Sequence, residues 1–172
     1  MEPSGRIPLV PELELTRSRD DRRTFVLAEV GTVRVGGWLG GPAEIDVAGE
    51  RWEVRRRGIL RRVTEATDAA GAVVGRFGPQ GWRRGGPLWW GGRELALQPS
   101  SFWRDRYALT EGARELASLE GKGWGSRPVR IAVDDLAAVD PALLLFAALV
   151  VRSLAEDAGS SSAATTSAAA AG

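Results

Sequence analysis

The sequence predicts a mainly β fold in which antiparallel strands close around one C-terminal helix. Three observations carry this. Between Ile7 and Val133 the chain divides into about eleven short, mostly alternating segments separated by Gly, Pro or Asp turns, the pattern of half-buried strands. From Pro141 to Val151 it then reads PALLLFAALVV, apolar on every side of a helical wheel, so this helix has to be buried all round. So many strands in one domain must stack or close. Closure removes the sheet edges, and a barrel of more than about eight strands has an interior too wide for its own inward side chains, a space an apolar helix fills.

The elements follow in order. Residues 1–22 form an N-terminal segment with room for a first strand, and the barrel domain is expected over 23–158. Strands are expected at TFVLAEV (24–30), TVRVG (32–36), AEIDVAG (43–49), ERWEVRR (50–56), ILRRVTEAT (59–67) and AVVGRF (72–77). LWWGG (88–92), ELALQ (94–98), SFWRDRYALT (101–110), RELASLEG (114–121) and PVRIAV (128–133) complete the set. A helical spacing at 111–119 is weak and flanked by glycines, so that stretch stays a strand. The helix, about 140–157, opens on Asp140 as N-cap and Pro141 at the first helical position, and fades through Arg152, Glu156 and Asp157. Its uninterrupted apolar part is about 11 residues, against the roughly 20 a membrane span needs, which makes it a buried core helix and not a transmembrane segment. The remainder, GSSSAATTSAAAAG (159–172), is of low complexity and expected to be disordered.

An internal repeat runs through the strand region. Gly49 opens GERWEVRRRGILRRVTEATDAAGAVVGRF and Gly92 opens GRELALQPSSFWRDRYALTEGARELASL, offset by about 42 positions, with hairpin turns at Gly71 and Gly112. Each copy gives strand, turn, strand, Gly hairpin, strand. The order is meander, meander, helix.

Composition excludes several function classes. With 172 residues and a net charge of +1, no global field favours nucleic acid. Cysteine and histidine are absent, which removes disulfides, thiol chemistry, His-based acid–base catalysis and the usual zinc sites. Arginine outnumbers lysine 22 to one, with abundant Ala and Gly, as codon bias in a GC-rich bacterial genome produces. MEPSGRIPLVPELEL has neither the basic start nor the apolar run of a signal peptide, so a cytoplasmic location is expected. The acid pairs Asp20-Asp21 and Asp134-Asp135 read as a solvated loop and a strand end, with no EF-hand spacing. GGWLGG and GGPLWWGG lack the Lys-Ser/Thr of a P-loop and read as turns, and no cofactor is expected.

The D-x-x-G turn leading into an apolar-Gly-x-apolar strand in DAAGAVVGRF, its second copy in LTEGARELASL and the Asp-Pro-capped apolar helix resemble the tubby C-terminal-like superfamily, over roughly Arg23 to Asp157. That superfamily includes the LURP-one-related proteins and the phospholipid scramblases. The resemblance implies a closed barrel of about 12 antiparallel strands with the hydrophobic helix threaded through its centre. It also implies a lipid-associated, phosphoinositide-like ligand. The chain departs from the scramblase pattern in having no cysteine to palmitoylate, no calcium loop and no Pro-rich arm. No phosphoinositide-binding position of tubby proteins is carried over.

Two features can recognise something. Arg55, Arg56, Arg57, Arg61 and Arg62 flank the Gly58 turn, with Arg83 and Arg84 in another loop, and such a cluster can grip an anion by paired donors. Alternatively Glu50, Glu53 and Glu65 neutralise it on a solvated face. Trp82, Trp89, Trp90, Trp103 and Trp124 lie near Gly, Arg or turn positions, and adjacent Trp89 and Trp90 must point to opposite sides of a strand. The expected function is a non-enzymatic binding module for an anionic lipid headgroup or another anion, peripheral at a membrane surface. The alternative is a protein-interaction or scaffold domain using a Trp-rich face.

Overall fold

Alternation decides which side of each strand faces inward, and in a computed structural model of the chain the inward sides of twelve strands meet around one helix. The structure describes residues 12–36, 41–58, 62–80, 85–101, 106–121 and 128–169, from 158 on as backbone only. The strands are β1 (Glu12–Arg17), β2 (Thr24–Leu27), β3 (Gly31–Arg34), β4 (Ala43–Val47), β5 (Glu50–Arg57) and β6 (Val63–Thr67). They continue with β7 (Val73–Phe77), β8 (Gly86–Trp90), β9 (Arg93–Pro99), β10 (Arg106–Glu111), β11 (Arg114–Glu120) and β12 (Val129–Ala132). Each pairs antiparallel with its sequence neighbours, and β12 pairs with β1, so the barrel is closed. It takes in β1 and therefore begins at Glu12, within the segment left outside the expected domain.

Inward positions are apolar: Leu15, Leu27, Val33, Ile45, Leu97, Leu109, Leu119 and Ile131 are at most 1% exposed. Outward positions carry the arginines, matched across strands by acids. Arg130 on β12 meets Glu14 on β1 at 3.2 Å, and Arg106 on β10 meets Glu120 on β11 at 3.0 Å. Glu65 on β6 accepts from Arg57 on β5 and Arg76 on β7, joining three strands. Opposite charges across a strand pair favour the register in which they meet.

The helix α1 spans Pro141–Ala169. Asp140 holds its start twice over: Oδ1 accepts from the backbone N–H of Ala142 at 2.8 Å and of Leu143 at 3.4 Å, while Oδ2 accepts from Trp90 Nε1 at 2.9 Å. Every residue from Ala142 to Val151 is at most 6% exposed, and the helix packs against β3, β4, β7, β11 and β12, strands on all sides of the barrel. Each Leu or Phe so enclosed contributes about 1.5–3 kcal/mol. The wall opens for large groups where a strand has no side chain. A Cβ on Gly75 would lie 2.4 Å from the Trp90 ring, and that ring sits inward with Phe146 at 5.2 Å and Trp52 at 6.4 Å between centroids. Beyond Asp157, where composition ends the helix, the backbone stays helical to Ala169. Nucleation is already achieved inside the barrel, so each further residue needs only propagation, which the alanines among the Gly, Ser and Thr of this stretch favour.

The two ends of the barrel differ. At one end the connections are short (28–30, 48–49, 68–72, 91–92 and 112–113), and α1 enters there, after β12 and a 3₁₀ turn at Leu136–Ala138. Ala48-Gly49 and Gly91-Gly92 both have positive φ at each residue, the two-residue hairpin that matches strand twist. At the other end the connections are 18–23, 35–42, 58–62, 78–85, 100–105 and 121–128, and α1 leaves there. The repeat is also explicit: β4, β8 and β12 start at Ala43, Gly86 and Val129, each 43 residues after the last. Bulges recur at the same spacing, between Ala66 and Thr67 and between Leu109 and Thr110. In sequence, Gly-Trp recurs at Gly37-Trp38, Gly81-Trp82 and Gly123-Trp124, once in each connection that precedes these strands.

Candidate functional site

At the end with longer connections, α1 turns from apolar to mixed. Leu149, Arg152, Ser153 and Glu156 follow the three-and-four spacing that puts them on one helix face. That face leaves the barrel interior unfilled. A partly open cavity of about 280 Å³ is lined by it and by Val35, Gly36, Gly41, Ala43, Val54, Arg56 and Thr64. Walls of small side chains on β4 and polar ones on α1 explain why packing stops short here.

Arg56 reaches this cavity because it shares the inward parity of Val54, and its register partner on β6, Thr64, is buried beside it. Its guanidinium donates to Asp157 Oδ2 on α1, and Arg62 donates to Oδ1 of the same carboxylate at 3.4 Å. Arg152 is the most enclosed charge at the site, with a side chain 14% exposed. Its guanidinium lies over the Phe25 ring, 4.2 Å from the centroid, and donates to Glu156 one turn on. Stacking on an aromatic face and a carboxylate partner offset the desolvation of a charge in this position. Each guanidinium has five N–H donors, so binding one carboxylate leaves donors for another anion.

The five arginines expected to form one cluster are therefore divided. Arg55 and Arg57 point outward: Arg55 pairs with Glu53 and Arg57 with Glu65 at 2.9 Å, as the neutralised-face alternative anticipates. The Glu53 carboxyl is held below its ordinary pKa mainly by the hydrogen bond from Arg55, whose own pKa is raised by the same bond. Arg56 lines the cavity, and Arg62 shares its Asp157 partner. Arg61 lies outside the described residues, as do Arg83, Arg84, Trp82, Trp103 and Trp124. Arg152 was not among the expected site residues. Its signal is the Arg152–Glu156 spacing of four at the end of an apolar run, which reads equally well as the helix emerging into water.

The remaining expectations resolve locally. Trp89 is 38% exposed and Trp90 4%, opposite sides of β8. Asp21 binds its own loop, accepting from the backbone N–H of Arg23 at 2.9 Å and the hydroxyl of Thr24 at 2.8 Å, and these bonds lower its pKa. Asp135 caps the 3₁₀ turn through the backbone N–H of Ala137 at 3.0 Å. Among the described residues no group of three or more acids could hold a metal ion, and no helix is long and apolar enough to cross a membrane. No family model, curated protein or solved structure matches the chain.

Proposed function

We propose that the protein is a non-enzymatic binding module of the tubby-like type that holds an anionic ligand at the open end of its barrel. The supporting observation is the placement of Arg152, a charge kept largely out of water on the wall of a cavity that Arg56 also lines, between an aromatic ring and a carboxylate. Barrel mouths and partly apolar cavities with a few convergent polar groups are where small ligands bind. A lipid headgroup and a soluble anion both meet this description, and a cytoplasmic location peripheral to a membrane belongs to the same proposal. The alternative of a Trp-rich interaction face has less support. Among the described residues, Trp89 and Val73 are the exposed large hydrophobics, too little for a contiguous docking patch.

Thermal unfolding at low ionic strength tests this with octanoate, inorganic phosphate and phosphoinositide-containing vesicles as probes. A ligand at about 100 times its Kd raises Tm by about 5–10 °C for a domain of this size. At least one of these anions should do so for the natural protein, and the rise should shrink in Arg152→Gln and in Arg56→Gln. A Tm indifferent to all three at low salt would remove the anion-binding reading.

A further inference from the structure

We infer that the cavity selects a monoanionic carboxylate of about ten heavy atoms in all, most of them apolar. This rests on the reading of the cavity as an anion site and narrows it. Size sets the first limit. A volume of about 280 Å³ is just below the usual range of ligand pockets, the scale of a short acyl or aromatic acid.

Charge sets the second. Among the described residues that line the cavity, Arg56 and Arg152 stand against Glu156, a balance of one positive charge, and the Arg62–Asp157 pair that Arg56 joins adds none. One carboxylate brings that balance to zero. A phosphate monoester, at about −1.5 to −2 near neutral pH, would leave excess negative charge beside two acids in a partly enclosed site. The planar fork of a guanidinium also matches a carboxylate with two parallel hydrogen bonds.

The walls set the third. Val35, Val54 and Leu149 line the space together with the charged groups, so a ligand's charge would go to Arg56 and Arg152 and its apolar part to these side chains. A purely inorganic anion would leave that surface uncovered.

Isothermal titration of the full chain with octanoate, octyl phosphate, octan-1-ol and inorganic phosphate at pH 8 and low salt tests the inference. Octanoate should bind about tenfold or more tighter than each of the other three, the change expected for one charge-assisted hydrogen bond. Arg152→Gln should weaken octanoate by a similar factor. Because that variant removes a partly buried charge, Ala43→Leu serves as a second: it fills the cavity from β4, and should abolish octanoate binding while circular dichroism shows the barrel intact. Octyl phosphate or inorganic phosphate binding as tightly as octanoate would overturn the carboxylate assignment and leave the anion site standing. Octan-1-ol matching octanoate would overturn it too, by showing that the charge is not read. An absence of binding by all four would overturn both.

Discussion

Asp140 serves two elements at once, α1 and β8. One carboxylate caps α1 and anchors the Trp90 indole, so it fixes both where the helix enters and how the β8 side chain packs against Phe146. Losing an N-cap costs about 0.5–2 kcal/mol, and leaving a buried N–H unpaired about 1–3. Asp140→Ala should therefore lower stability by about 2–4 kcal/mol in urea denaturation, with Asp140→Asn falling between the two. The cap was legible in the order Asp-Pro-apolar run. Its second partner was not, because Trp90 is 50 residues away and nothing local marks the contact. The same limit explains the arginines. Alternation after Trp52 and Val54 sends Arg55, Arg56 and Arg57 to both faces of the strand, but which acids meet them, Glu65 on β6 and Asp157 on α1, is set by pairing and packing that no local pattern marks.

Among the elements, α1 was the most legible and its end the least. A run apolar all round has few homes outside a membrane, so burial of Leu143 to Val151 followed from composition alone. Where the helix stops depends on what surrounds it, and the Ala-rich segment after Asp157 is helical only as a continuation of a helix the barrel has already nucleated. Phe146 is fully buried against Trp90 in the centre of this helix. Phe146→Asp puts an unpaired carboxylate there at a cost of several kcal/mol, out of a total stability of about 5–15. The variant should lose its near-UV circular dichroism and its dispersed amide NMR signals; a folded variant would mean that the helix is not enclosed.

For the molecule as a whole, the repeat and the closure are one fact seen twice. Four strands per 43 residues, taken three times across the β12–β1 pairing, give twelve strands and a closed sheet. Two copies could be read from Gly49 and Gly92. The third is split between the first and last strands, and no sequence alignment of adjacent segments would join it. The same geometry sorts tight hairpins to one end and longer connections to the other, and places the mixed face of α1 among the latter. The cavity was not legible, since it depends on where α1 runs out of apolar side chains relative to β4, β5 and β6. Methyl NMR of labelled protein titrated with octanoate examines this arrangement most directly. Shifts should concentrate at the methyl groups of Val35, Val54 and Leu149, which line the cavity, with those of Val73 on the outer face of the barrel unmoved. Shifts centred on that outer face, or spread evenly over the barrel, would show that the anion does not enter between the helix and the wall.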